Sequence, residues 1–204
     1  MTATRISIVI PTRHRPELLC RAVKSALICC GSEDEIVVVS DHDPTTQQTL
    51  SEMTDPRVRL IENNTRSGAS ATRNLGVASA HGHTVLFLDD DDELQGGYIS
   101  NILTALDQPC ASWGFASQLT RTTATDAPQV ISRVTLPRGF LGPAVQFRRK
   151  LGALSSGFWV RRQLFLSVGG LCEKQLVDED VDLCCRLIAD GYQPWFETEP
   201  ATIL

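Results

Sequence analysis

The sequence predicts an α/β protein in which a mostly parallel, doubly wound central sheet is flanked by helices. Two observations indicate this class. Runs rich in Val and Ile alternate with helical segments through the first half of the chain, and these runs are apolar on both faces. Strands that helices cover on both faces have this composition, and an alternating order of strands and helices is typical of parallel sheets.

The first half of the chain contains four predicted strands and three predicted helices. Pro11 is expected to close the first strand, and Pro16 favours a helix start because its fixed φ suits the first turn. The second helix is expected to begin with a cap by Asp43. In chain order the prediction is strand 5–10, helix 17–29, strand 35–40, helix 45–53, strand 58–61, helix 70–80 and strand 83–88.

The second half of the chain is less regular, and its elements are predicted from shorter patterns. The clearest is an amphipathic helix over 178–189. It carries acidic residues in its first turn, where the helix dipole stabilises negative charge. The other predictions are strands 112–121 and 129–135, a loop or broken helix over 137–150, strand 154–160, helix 161–168 and an edge strand over 195–198.

Length and composition exclude several classes of protein. The 204 residues, 42% of them apolar, suffice for one domain with a substantial core. A net charge of −5 argues against a nucleic-acid partner, which requires a basic surface. We see no run of about 20 apolar residues and no signal-peptide segment, so we expect no transmembrane segment and a cytoplasmic location. The 7 cysteines are expected to be reduced and mostly buried.

Polar side chains follow three of the predicted strands at the point where each strand ends. In parallel sheets the carboxyl ends of the strands meet at one edge, and ligands bind there. We therefore expect these side chains to form one site. They are Pro11, Thr12 and Arg13 after the first strand, Ser40 and Asp41 after the second, and Asp89, Asp90, Asp91 and Asp92 after the fourth.

The four consecutive aspartates predict a metal and phosphate site. Adjacent carboxylates repel one another unless a cation binds them, and Mg²⁺ or Mn²⁺ takes one or two carboxylates together with phosphate oxygens. In an extended segment Asp89 and Asp91 lie on the same side. A solvated acidic loop is the alternative for the run, and for Asp92 alone the alternative is a helix cap that starts the next helix.

Four further groups can be interpreted from the sequence, and three of them have both a structural and a functional interpretation. Arg73 is either a surface arginine or a bidentate partner of the acidic loop or of a phosphate. Glu179 and Asp180 either cap the helix that they open or supply a general base. Arg186 is placed to pair with Asp182 one turn away. The basic cluster 148–150 is either a solvated loop or a site that attracts an anionic acceptor.

Seven segments carry a resemblance that covers almost the whole chain in one order. Together they resemble family 2 glycosyltransferases of the GT-A fold. The segments are IVIPTRHRPELL at 8–19, IVVVSD at 36–41, GASATRNLG at 68–76, VLFLDDDD at 85–92, FWVRR at 158–162, VGGL at 168–171 and EDVDL at 179–183.

The resemblance implies an inverting, metal-dependent transferase that moves a sugar from a nucleotide-diphosphate donor, most often a UDP-sugar, to an acceptor hydroxyl. The acceptor would be a glycan, a lipid-linked molecule or a small molecule, and a homodimer is possible. One domain over 1–204 is expected, with a donor half (1–106) and an acceptor half (107–204). By resemblance Asp180 is the catalytic base with Glu179 beside it, Mn²⁺ or Mg²⁺ binds Asp91 and Asp89, and the donor contacts Pro11, Thr12, Arg13, Asp41, Arg73, Asp89 and Asp90.

Two departures from the family pattern keep alternatives open. Ser40 stands where an acidic pair usually follows the second strand, and Cys172 stands where a Gly-Gly-Phe-Asp-Glu pattern has Asp. A catalytically impaired domain that binds a nucleotide or a partner is therefore an alternative. A nucleotidyltransferase is a weaker one, because the loop over 11–16 lacks the glycines that hold a triphosphate.

Overall fold

The computed structural model describes residues 5–51, 53–65, 67–120, 129–131, 138–141 and 156–203. In the first half, strands and helices alternate as the sequence predicts. The elements are β1 (Ile6–Thr12), α1 (Pro16–Cys29), β2 (Glu35–Asp41), α2 (Thr45–Ser51), β3 (Val58–Asn63), α3 (Gly68–Ser79) and β4 (Thr84–Phe87). They are followed by β5 (Glu93–Leu94), α4 (Tyr98–Leu106), β6 (Trp113–Thr120), β7 (Gln129–Ile131), β8 (Gly139–Phe140), β9 (Trp159–Arg161), α5 (Arg162–Ser167), α6 (Glu179–Ala189) and β10 (Trp195–Ile203).

The described strands form one mixed sheet in the order β3-β2-β1-β4-β9-β6-β10-β5, with β7 beside β6 and β8 beside β10. The strands β1 to β4 are parallel, which confirms the predicted α/β architecture. Beyond β4 the sheet changes direction, because β9 is antiparallel to both β4 and β6, whereas β6 and β10 are parallel. The half of the sheet beyond β4 is therefore mixed.

The sheet separates two apolar layers, which explains why β1 and β2 are apolar on both faces. Alternate residues of β1 point to opposite faces. Ile8 packs in the layer that contains α1, and Val9 packs in the layer that contains Val77 of α3. Because a helix covers each face, both sets of side chains are fully buried. Because β1, β2 and β4 are parallel neighbours, their carboxyl ends lie at the same edge of the sheet.

Two expectations about the fold are wrong, and so is the alternative in which Asp92 starts a helix. The predicted edge strand 195–198 is the longer β10, which lies inside the sheet between β6 and β5. Asp92 does not start a helix, because β5 follows it and α4 begins only at Tyr98, after Gly97 with φ 86°. The cysteines are not mostly buried: Cys30 and Cys184 are, Cys20 and Cys29 are half-buried, and Cys110, Cys172 and Cys185 are exposed.

Several boundaries also shift, and some predictions cannot be compared. The strand β1 continues through Pro11 to Thr12. Pro11 has no N–H to donate, but no hydrogen bond to β4 is lost, because the pairing of β1 with β4 ends at Val9 of β1. The predicted strand residues 132–135 and 154–155, and the basic cluster 148–150, lie outside the described residues. Within the described ranges, no helix is long and apolar enough to cross a bilayer.

The close approach of α3 to the sheet depends on Gly76. A Cβ atom at this position would lie 2.4 Å from Val9 Cγ1 and 3.0 Å from Val39 Cγ2. The helix therefore sits directly on β1 and β2. The position of the helix determines where Arg73 and Asn74, three and two residues earlier, project toward the ends of the strands.

We expect Gly76→Ala to lower the free energy of unfolding by about 1–2 kcal/mol in net terms. The 2.4 Å contact favours the upper part of the usual overpacking cost of about 1–3 kcal/mol, and the gain of about 1 kcal/mol in helix propensity offsets only part of it. Chemical denaturation measures the difference. Gly96→Ala is the matched control, since no atom lies within 4 Å of its added Cβ. Equal stability of the Gly76 variant and the wild type would contradict the close packing of α3.

Candidate active site

The ends of β1, β2 and β4 meet at a cleft of about 440 Å³. The structure brings every predicted donor-contacting and metal-binding residue to this cleft. Glu179 and Asp180 instead line a smaller adjoining pocket of about 20 Å³, which shares Arg73 with the cleft. The cleft is lined by Pro11, Thr12, Arg13, Arg15, Asp41, Ala69, Thr72, Arg73, Asp89, Asp90 and Asp91.

The four aspartates form a tight turn directly after β4. The amide of Asp92 donates to the carbonyl of Asp89 at 3.2 Å, and the amide of Asp89 donates to Ser156 Oγ at 2.8 Å. The turn directs the side chains of Asp89 and Asp91 into the open cleft and leaves those of Asp90 and Asp92 buried. The run therefore contains two carboxylates that are exposed to the cleft and two that are buried, of which Asp90 still borders the cleft.

Arg73 is the buried cation of the site. Its Nη2 donates to Asp89 Oδ1 at 2.6 Å, and its Nη1 donates to Glu179 Oε1 at 3.3 Å. Only 9% of the Arg73 side chain is exposed, so both carboxylates are needed to compensate its desolvation. The expected contact between Arg73 and the acidic loop is present, and it extends to the first residue of α6.

Arg15 is a second cation at the site, and the sequence analysis missed it. Its Nη1 lies 2.6 Å from Asp91 Oδ2 and 3.1 Å from Asp90 Oδ1, and these two carboxylates raise the pKa of the guanidinium. A usable signal was present, because Arg15 directly precedes Pro16 and the first turn of α1. A residue at that position borders the carboxyl end of β1.

The two buried carboxylates have a structural part in the turn. Thr12 Oγ1 donates to Asp90 Oδ2 at 2.7 Å, which ties the acidic turn to the end of β1. Burial raises the pKa of Asp90 although this hydrogen bond and Arg15 oppose the rise. Burial also raises the pKa of Asp92 to about 7, against the hydrogen bond from Ser156. Partial protonation of Asp92 at neutral pH reduces the charge that the run must carry.

The end of β2 is connected to α3 through Asp41. Its Oδ1 accepts from the amide of Ser67 at 3.0 Å, and its Oδ2 accepts from the amide of Gly68 at 3.2 Å. A carboxylate at a helix N-terminus is stabilised in this way. Ser40 is buried and bonds within the next turn, to the carbonyl of Asp43 and to Thr46. The departure at Ser40 therefore concerns a turn and not the lining of the cleft.

The start of α6 is held against α3 by a set of directed hydrogen bonds. Asn74 donates to the carbonyl of Leu171 and accepts from its amide, both at 2.9 Å. Arg186 pairs with Asp182 at 2.7 Å, as expected, and its guanidinium also donates to the carbonyls of Val168 and Gly170. These contacts place Asp180 at the second position of α6, at the border of the smaller pocket.

The carboxylates of the cleft fit a divalent cation only if a bound ligand and water supply the remaining oxygen donors. Among the residues that the structure describes, no three His, Cys, Asp or Glu side chains form a metal-binding group. Asp91 and Asp89 offer two hard oxygen donors, and 48% of the Asp91 side chain is exposed. Because Mg²⁺ and Mn²⁺ commonly take one or two carboxylates and complete their shell with phosphate and water, two donors are compatible with such an ion.

Comparison with known proteins places this geometry in a family. The model of "Glycosyl transferase family 2" matches residues 7–169. A putative colanic acid biosynthesis glycosyl transferase of Escherichia coli is 40% identical over 91 residues, which are 43% of this chain and 33% of that protein. An uncharacterized glycosyltransferase of Haemophilus influenzae is 25% identical over 207 residues, covering 97% of this chain and 67% of that protein.

A solved structure has the same fold. TarS of S. aureus (1–349), crystallised in complex with UDP, superposes with a TM-score of 0.82 at 18% identity. The superposition covers 98% of this chain and 60% of the TarS 1–349 chain, and this chain matches 33% of the E. coli relative, so it spans only part of the length of these proteins. The family match ends before α6, and the fold match includes it. Because most of the chain matches the family model and its sheet carries the acidic turn in the expected place, the chain belongs to glycosyl transferase family 2 and has the GT-A fold.

Proposed function

We propose that the chain transfers a sugar from a UDP-sugar to an acceptor hydroxyl, with the donor in the 440 Å³ cleft and a divalent metal ion on Asp91 and Asp89. The observation that carries the proposal is the convergence of Thr12, Asp41 and the acidic turn on one cleft. The UDP complex of the structural neighbour TarS and the family membership support it. The E. coli relative, named for colanic acid biosynthesis, supports a saccharide acceptor.

The nucleoside end of the donor is assigned to the ends of β1 and β2. Each oxygen of Asp41 already accepts one backbone amide, and a carboxylate oxygen can accept a second hydrogen bond. Asp41 can therefore accept the ring N–H of a uracil. Pro11, Thr12 and Arg13 complete this end, and Arg73 and Asp90 border the diphosphate end.

The diphosphate end of the donor is assigned to the acidic turn. Asp91 and Asp89 would hold Mn²⁺ or Mg²⁺, and such an ion neutralises charge on the departing diphosphate. Arg73 fixes the orientation of Asp89 through its 2.6 Å hydrogen bond. The same guanidinium contacts Glu179, so that the donor cleft and the pocket of Asp180 keep a fixed relation.

Asp180 is proposed as the general base. Its carboxylate would accept the proton of the acceptor hydroxyl as that oxygen attacks the anomeric carbon. A bond forms between the acceptor oxygen and the anomeric carbon, and the bond from that carbon to the diphosphate oxygen breaks with its electron pair leaving on the diphosphate. One displacement inverts the configuration, and no protein nucleophile takes part.

The alternative of an impaired binding domain rests on Ser40 and Cys172. Neither residue lines the cleft or the pocket of Asp180 among the residues described there. The division into a donor half and an acceptor half at residue 106 remains a prediction. The nucleotidyltransferase alternative has no further support.

We expect calorimetric titration with UDP, GDP, dTDP and CDP to show tightest binding of UDP, strengthened by Mn²⁺ about tenfold or more, or at least 1.4 kcal/mol. Asp91→Asn should abolish this dependence on Mn²⁺, because the amide is a weaker metal ligand. Asp107→Asn is the control, since it makes the same change at an exposed aspartate outside the cleft. Failure of all four nucleotides to bind would refute the proposed donor, and unchanged Mn²⁺ dependence in Asp91→Asn would refute the metal assignment.

We expect Asp180→Asn to lower the rate of UDP release from the preferred UDP-sugar by about 10²–10⁴-fold, the usual contribution of a general base. The affinity for UDP should stay within about twofold, because Asp180 lies outside the donor cleft. Asp190→Asn, at the exposed C-terminal end of α6, is the matched control. A variant that keeps the full rate would remove Asp180 as the base, and a wild type without turnover would favour the impaired domain.

A further inference from the structure

The Arg15 guanidinium occupies the carboxylates to which the metal ion is assigned. One nitrogen, Nη1, lies within 2.6 Å of Asp91 Oδ2 and within 3.1 Å of Asp90 Oδ1. About half of the Arg15 side chain is exposed, and it lines the same cleft. The negative charge of the acidic turn is thus compensated by a cation that belongs to the chain itself.

A guanidinium and a divalent cation compete for the same oxygen. A metal ion bonded to Asp91 Oδ2 would stand within a few ångströms of Nη1, and two like charges at that distance repel strongly where solvent is partly excluded. Asp90 does not depend on Arg15 in the same way, because Thr12 also holds its other oxygen at 2.7 Å. Arg15 can therefore leave Asp91 without releasing the turn.

Arg15 differs in this respect from Arg73. The Arg73 side chain borders the cleft but is only 9% exposed, and its movement would break its contacts with both Asp89 and Glu179. Arg15 is anchored next to Pro16 at the start of α1, and its long side chain projects over the open cleft. The other anion expected in that cleft is a diphosphate, which a guanidinium binds through paired hydrogen bonds.

We propose that Arg15 is a two-position residue that couples metal binding to donor binding. It stands in for the metal ion on Asp91 while the cleft is empty, and it moves to the diphosphate when the ion takes Asp91. The metal ion alone then binds weakly, because it must displace an internal cation, and it binds well only together with the nucleotide. This inference rests on the proposed function, since it needs a metal ion and a diphosphate in the same cleft.

The test is a set of three titrations on the full chain: Mn²⁺ alone followed by electron paramagnetic resonance, UDP alone, and UDP with Mn²⁺ by calorimetry. In Arg15→Gln the affinity for Mn²⁺ alone should rise about two- to fivefold, the value of an exposed ion pair. The affinity for UDP with Mn²⁺ should fall about tenfold, because a charged hydrogen-bond donor is lost. A residue with only a structural part in the cleft would not move these two affinities in opposite directions.

Two further variants keep the result unambiguous. Arg21→Gln removes an exposed arginine of α1 that pairs with Glu93 at 3.2 Å outside the cleft, and it should change neither affinity. Arg15→Lys should bind UDP with Mn²⁺ more tightly than Arg15→Gln, because the charge is kept. An unchanged or lower affinity of Arg15→Gln for Mn²⁺ alone, with UDP binding intact in the wild type, overturns the proposal. Failure of the wild type to bind UDP at all overturns the proposed function.

Discussion

The ion pair between Arg73 and Asp89 is the interaction on which the rest of the site depends. A guanidinium that is 9% exposed requires charged partners, and the structure supplies Asp89 from the end of β4 and Glu179 from the start of α6. Asp89 and Glu179 are 90 residues apart in the sequence. Arg73 therefore fixes the acidic turn relative to α6, the helix that carries Asp180. Arg73 itself lies on α3, whose position on the sheet depends on Gly76.

Four adjacent carboxylates are tolerated because the turn gives each a different environment. Asp89 has Arg73, and Asp91 has Arg15. Asp90 is buried with a hydrogen bond from Thr12, and burial raises the pKa of Asp92 to about 7. The repulsion between the four carboxylates is thus reduced by two arginines and by the raised pKa of Asp92. Only the pair that faces the cleft remains available to a metal ion or a substrate.

The fold of the first half was predictable because each element follows from local pattern. Runs of Val and Ile give strands, Pro16 starts α1, and a strand–helix alternation leaves few topologies. The second half was harder, because β10 owes its interior position to pairing with β6 and not to its composition. Similarly, the alternative in which Asp92 starts a helix is wrong, because Leu94 pairs with Thr202 of β10 instead. Contacts so distant in sequence leave no local signal.

The sequence by itself determined the fold class, the family resemblance and the three strand ends that form the cleft, because parallel strands place their carboxyl ends at one edge. Only the tertiary structure decided which carboxylates are accessible, that Ser40 belongs to a turn, and that Arg15 reaches Asp91. The physical reason is that burial and charge pairing arise between segments that are far apart in the chain. A run of aspartates therefore reveals that a cation is required, and the fold determines which cation meets each of them.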